Sequence, residues 1–169
     1  IKSNTTFDSP GGSFNGAGKS LYNLILDDGI TLNLNKITAI LGKFTHRGLV
    51  DGSGNMFLIT NDFGYGDSDS SNWWEIGVNG SFAETYTGDV VPPQGTGSIT
   101  LPNLPESKNV YNLYMYFGYS RTTKIPSDGE LFLENNLWVG TGGTDTITII
   151  LDTNGGNLNV GGTTSLGEN

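Results

Sequence analysis

The stretch from Gly155 to Asn169 runs GGNLNVGGTTSLGEN. It contains no aromatic residue, almost no charge, and only three large aliphatic side chains, Leu158, Val160 and Leu166. So few apolar groups cannot form a core of their own, because burial of apolar surface is the main term that offsets the entropy lost on ordering a chain. We therefore expect this segment to be ordered by backbone pairing with other strands, as in a β-repeat stack or an intertwined fibre.

Upstream of this segment, short β-favouring runs alternate with Gly, Asn, Asp and Pro, and no run sustains helical periodicity. The chain has 169 residues, 26 of them glycine, and no cysteine, which is long enough for one domain with its own core. Many short strands at close spacing are typical of sandwiches. The sequence therefore predicts a single all-β domain, a jelly-roll-like β-sandwich with β-repeat or fibre-like terminal segments.

The predicted strands lie between turn residues. They are Leu21–Leu26, Ile30–Leu34, Thr38–Thr45, Asn55–Thr60, Trp73–Val78, Ser81–Tyr86, Gly97–Leu101, Val110–Tyr119, Glu130–Leu133, Leu137–Val139 and Thr146–Leu151. Asn79-Gly80 tolerates the positive φ of a tight turn, so we expect Trp73–Val78 and Ser81–Tyr86 to form a hairpin.

The charge pattern excludes some partners. The net charge is -9, with 17 acidic and 8 basic residues, and no cluster of Lys and Arg is present to neutralise nucleic acid phosphates. No apolar run approaches the roughly 20 residues that a membrane span requires. We expect neither nucleic acid binding nor membrane insertion. A surface rich in amides and hydroxyls, with only 15% charged residues, favours an extracellular location.

Two segments near the ends of the chain are similar to each other. Both Leu24–Leu34 and Ile149–Val160 consist of an aliphatic strand, an Asp-led turn and a Leu-Asn-aliphatic strand. They are either repeat units or a chance similarity between Gly- and Asn-rich segments. If they are repeats, residues 1–45 and 146–169 are repeat-like strands that flank a globular insert.

The C-terminal pattern resembles the short β-repeats in the shafts of phage tail fibres and of some bacterial surface adhesins, and Thr6–Leu24 resembles repeat units of large secreted or phage-borne β proteins. The resemblance implies a position on a virion or cell surface. It also implies assembly into a homo-oligomer, with a trimer favoured.

Paired tryptophans are the first candidate binding site. Trp73 and Trp74 are adjacent, so in a strand they point to opposite faces. We expect one in the core and the other exposed as a sugar-stacking platform beside polar side chains such as Asn72. The alternative is that both are buried, in a core or at a subunit contact.

A second candidate platform lies on the strand Val110–Tyr119, where Leu113 and Met115 share the predicted core face. Tyr114 and Tyr116 then point outward with Asn112, and Tyr65 is a possible neighbour. They are either a second glycan platform or cross-strand tyrosines that stabilise a sheet or an oligomer contact.

Carboxylates form the third candidate site. Asp67, Asp69, Glu75 and Glu84 could supply the oxygen ligands that calcium prefers. Across the predicted hairpin Glu75 and Glu84 are directly opposed, which is unfavourable unless something compensates the two charges. They are solvated side chains, a calcium site, or the acid/base pair of a glycosidase.

The sequence therefore predicts a non-enzymatic attachment or structural module on a virion fibre or cell surface, which binds a glycan or a cell-surface receptor. One alternative is a free-standing secreted lectin or carbohydrate-binding module. The other is a small β jelly-roll glycoside hydrolase.

Overall fold

The chain forms a parallel β-solenoid, in which successive coils add strands to three faces. The computed structural model describes residues 1, 3, 5–7, 21, 23–35, 38–40, 42–52, 57–59, 73–93, 97–117, 120–141 and 148–168.

Each face is a stack of strands from different coils. The first face holds β2 (Leu24–Leu26), β5 (Phe44–His46) and β8 (Trp74–Ile76) in one sheet, and β11 (Gly97–Thr100), β13 (Arg121–Lys124) and β16 (Ile149–Asp152) in another. The second face holds β1 (Thr5–Phe7), β3 (Thr31–Leu34), β6 (Leu49–Asp51) and β9 (Ser81–Phe82), then a 3₁₀ turn at Glu106–Lys108, then β14 (Glu130–Leu133) and β17 (Asn157–Val160). The third face is one sheet of β4 (Thr38–Ile40), β7 (Phe57–Ile59), β10 (Asp89–Val91), β12 (Asn112–Phe117), β15 (Leu137–Thr141) and β18 (Thr164–Glu168).

The predicted jelly roll is wrong, although the all-β prediction is confirmed. Every strand pair in the described part of the chain is parallel, whereas a jelly roll is built from antiparallel strands. The predicted hairpin is wrong for the same reason, because β8 and β9 lie on different faces. Gly80 instead turns a corner between two faces, where a Cβ atom would lie 2.1 Å from the carbonyl oxygen of His46.

The core is built from inward side chains that stack from coil to coil. On the first face Leu24, Phe44 and Trp74 are in register, and all three are buried. On the second face Leu32, Val50 and Phe82 are likewise in register and buried. Alternate residues on each strand point away from the core, so a solenoid strand shows the same period-two pattern as any sheet with one buried face.

The C-terminal segment pairs as expected, and its partners are in the same chain. Residues of β17 pair in register with β14, and residues of β18 pair with β15. The last coil therefore needs no second chain for its backbone pairing. Its apolar side chains remain accessible at the end of the stack, with Leu166 76% exposed.

The middle and the ends of the chain share one architecture. Strands between residues 46 and 145 lie in the same faces as strands from residues 1–45 and 146–169. The first and second faces are interrupted after β8 and β9, while the third face continues through this point without a break. No helix in the described part of the chain is long and apolar enough to cross a membrane.

Candidate functional site

Two aromatic side chains are stacked on the outside of the third face. Tyr114 on β12 and Trp138 on β15 are register partners, and both point outward because Leu113, Met115 and Leu137 occupy the inward positions. Their ring centroids are 4.2 Å apart and their planes differ by 9°. Both side chains are partly exposed. The pair is therefore an ordered aromatic surface rather than two independent side chains.

A glycine fixes the position of the indole. A Cβ atom on Gly140 would lie 2.2 Å from Cη2 and 2.6 Å from Cζ2 of Trp138, far inside carbon–carbon contact. The indole thus lies over the backbone of its own strand, two residues further on. In the next coil the neighbours are Ser165 and Gly167, and a Cβ on Gly167 would meet nothing within 4 Å. The outer surface at Gly167 is therefore open.

An amide ladder borders the aromatic pair at the start of these strands. Asn112 donates from Nδ2 to Oδ1 of Asp89 at 2.9 Å, and its own Oδ1 accepts the Asn136 backbone N–H at 3.0 Å. The Asn135 Nδ2 donates to the same Asn112 oxygen at 3.1 Å. Asn136 Oδ1 in turn accepts the Thr163 N–H at 2.9 Å. These bonds tie four coils together two residues before the aromatic row, so the row sits on a fixed backbone.

Sequence reasoning found part of this site. Tyr114 was predicted to point outward, and it does. The backbone of Tyr116 pairs with Gly140, but its side chain lies outside the described parts of the chain. Trp138 was not among the predicted site residues. A signal was present, because Trp138 has outward parity between Leu137 and Val139 and is followed by a glycine at the next outward position.

The expectation that Trp73 or Trp74 is exposed is wrong. Trp73 is 1% exposed and Trp74 is 2% exposed. Trp74 points inward and stacks near Phe44, with ring centroids 6.5 Å apart. Trp73 precedes β8 at a corner, so strand alternation does not apply to it, and its Nε1 donates to the Thr100 carbonyl at 3.2 Å. Two other predicted glycan-binding residues, Asn72 beside the tryptophans and Tyr65 beside the tyrosines, lie outside the described residues.

The predicted opposition of Glu75 and Glu84 is also wrong, because the hairpin that would oppose them does not exist. Glu75 lies on the first face, 2.6 Å from Lys43 Nζ, and this ammonium lowers the pKa of the Glu75 carboxyl. Glu84 is exposed in the turn that follows β9. Asp67 and Asp69 lie outside the described residues. Within the described ranges, no three His, Asp or Glu side chains are grouped so that they could hold a metal ion.

Comparisons of the chain with family models, with curated proteins and with solved structures found no match. The function proposed for this chain therefore rests on the arrangement of side chains on its three faces.

Proposed function

We propose that this β-solenoid is a non-enzymatic attachment module that contacts glycans through its third face, with Trp138 as the stacking surface and Tyr114 as its support. The observation that carries the proposal is the parallel stack of the two rings over Gly140. An exposed aromatic plane beside amide and hydroxyl groups suits a sugar, whose C–H face packs on the ring while its hydroxyls form hydrogen bonds.

Preorganisation supports this function. Ordering a surface side chain on binding costs about 0.5–1.5 kcal/mol. Here Tyr114 holds one face of the Trp138 indole, and the backbone of Gly140 lies beneath it, so much of that cost is met in the free protein. The Asn112 ladder restrains the same strands.

The hydrogen bonding around the aromatic pair favours binding over hydrolysis. Glycosidases use two carboxyl groups about 5–9.5 Å apart. In the hydrogen-bonded ladder of the described residues one carboxylate takes part, that of Asp89, and its Oδ1 accepts a hydrogen bond from Asn112. One carboxylate cannot serve as both the general acid and the nucleophile of a glycosidase.

The location and assembly proposed for the module follow from its surface. A stack of coils with few charges and many amide and hydroxyl groups suits the outside of a virion or a cell. We propose a homo-oligomer, with the trimer favoured, and multi-angle light scattering tests it. A monomer at all concentrations would reject assembly without touching the glycan proposal.

A glycan array on the wild-type protein, Trp138→Ala and Tyr114→Ala tests the proposed function. Phe132→Ala is the matched control, because Phe132 is a partly exposed aromatic on the second face. We expect binding that is lost in Trp138→Ala, weakened in Tyr114→Ala and retained in Phe132→Ala. Parallel arrays with and without calcium test the predicted metal. Binding that survives Trp138→Ala would reject the platform.

A further inference from the structure

A cavity of about 410 Å³ lies where the first and second faces are interrupted. Residues Trp74–Val78 form one wall, and Pro102, Asn103, Pro105 and Lys108 form the other. β8 is the last strand of its sheet, so the coil that follows does not continue its ladder. The cavity therefore occupies a gap in the solenoid wall, on a different face from the aromatic pair.

The cavity wall contains an ammonium group that has no anionic partner among the described residues. Lys108 Nζ donates to the carbonyl oxygens of Gly77 and Val78, each at 2.8 Å. An ammonium has three N–H donors, so one remains. No carboxylate among the described residues lies within ion-pair distance of Lys108, and yet the residue is buried, with only 9% of its surface exposed. Buried charges in proteins are normally paired.

The strand edge adds main-chain donors. The Phe44 N–H bonds to the Trp73 carbonyl, and the Gly77 N–H bonds to the His46 carbonyl. In a parallel ladder, bonding groups alternate along the strand. Odd-numbered residues of β8 therefore face β5, and the backbone groups of Trp74 and Ile76 face the open edge.

The nearby carboxylate does not supply the missing anion. Glu75 is 54% exposed in its side chain and is neutralised by Lys43 at 2.6 Å. The cavity thus presents the Lys108 ammonium and main-chain donors between the apolar rings of Pro102 and Pro105, and the one carboxylate named in its lining, that of Glu75, is paired with Lys43.

We propose that this cavity binds the carboxylate of a ligand about the size of one sugar ring, such as a sugar acid, with the Lys108 ammonium as its charged donor. The proposal is independent of the platform at Trp138. Burial also lowers the pKa of the Lys108 ammonium, as expected of a cation that lacks a counter-ion. A free sugar acid and an acidic residue within a polysaccharide share this chemistry.

Calorimetric titration with sodium glucuronate tests the proposal, with glucose as the neutral probe and inorganic phosphate as the compact anion. We expect glucuronate to bind with a Kd of about 1 mM or tighter, and glucose and phosphate to bind at least about tenfold more weakly. Oligogalacturonate separates the two sources, since tighter binding than glucuronate indicates a residue within a chain.

Two variants keep the test falsifiable. Lys108→Met removes the charge and should weaken glucuronate binding about tenfold or more. Lys124→Met is the matched control, because Lys124 lies on the first face outside the cavity. Absence of glucuronate binding to the wild type, or unchanged affinity in Lys108→Met, would overturn the proposal. Trp138→Ala should bind glucuronate normally.

Discussion

Replacement of Gly140 by alanine tests how the aromatic platform is held. The new Cβ would lie 2.2 Å from Trp138 Cη2, more than 1 Å inside the roughly 3.5 Å contact distance between carbons. It would also lie 2.7 Å from the carbonyl oxygen of Gly167, which is backbone and cannot rotate away. The indole must therefore leave its position over the strand.

The expected change in the free energy of unfolding is the sum of two losses and one gain. Displacing the indole forfeits the stack on Tyr114, worth about 0.5–1.5 kcal/mol, and the crowding against Gly167 adds roughly 1–3 kcal/mol. Replacing glycine by alanine gains about 0.4–1 kcal/mol through the unfolded chain. We expect Gly140→Ala to lower the free energy of unfolding by about 0.5–4 kcal/mol.

Gly167→Ala is the matched control. Gly167 is the register partner of Gly140 in the next coil, and its Cβ would meet nothing within 4 Å. Urea unfolding followed by circular dichroism should show this variant to be as stable as the wild type or slightly more stable. Equal stability of the two variants, with unaltered glycan binding by Gly140→Ala, would refute the placement of the indole.

Other predictions concern the core and its exposed end. Burial lowers the pKa of His46 from 6.5 to about 3, so between these values the unfolded chain binds a proton that the folded chain does not. The contribution of neutral His46 to the free energy of unfolding is complete above pH 6.5, and it should fall by about 1.4 kcal/mol for each pH unit below that value. Urea titrations from pH 6.5 to 4.5 should show a shallower pH dependence for His46→Phe than for the wild type. Identical slopes would contradict a buried neutral imidazole. Leu131 and Leu158 are register partners, 1% and 36% exposed. Leu131→Ala should cost about 2–5 kcal/mol of unfolding free energy and Leu158→Ala about 1 kcal/mol or less, whereas equal costs would show that the end of the stack is covered.

Local structure was largely predictable from the sequence. The strand Glu130–Leu133 has the predicted bounds, and the inward positions Leu113 and Met115 are buried as predicted. These features depend on side-chain alternation, which is the same in every sheet with one buried face. Thr38–Thr45 was predicted as one strand, but the chain leaves the third face at Ile40 and enters the first face at Phe44.

Strand pairing could not be predicted in the same way. Asn-Gly and Asp-Gly turns suit hairpins, and the same conformations turn solenoid corners, as at Asp128, where φ is 57°. The spacing between coils also varies. Thr31 pairs with Leu49, 18 residues on, whereas Leu49 pairs with Ser81, 32 residues on. No fixed period therefore marks the repeats.

The similarity between Leu24–Leu34 and Ile149–Val160 nevertheless has a structural counterpart. Each segment leaves the first face, turns one corner and enters the second face, as β2 and β3 in one coil and as β16 and β17 in another. The binding surface was harder to locate, because the outward parity of Trp138 is visible in the sequence whereas its pairing with Tyr114 depends on the stacking of coils.

A ¹H–¹⁵N spectrum of the protein, titrated with a glycan that binds on the array, tests whether Trp138 is the surface that contacts the glycan. The three tryptophans give three indole N–H signals, and Trp138→Phe assigns the signal of the platform. We expect a neutral glycan to shift the Trp138 signal and to leave those of the buried Trp73 and Trp74 in place. A glycan that shifts Trp73 or Trp74 and leaves Trp138 unchanged would contradict this expectation.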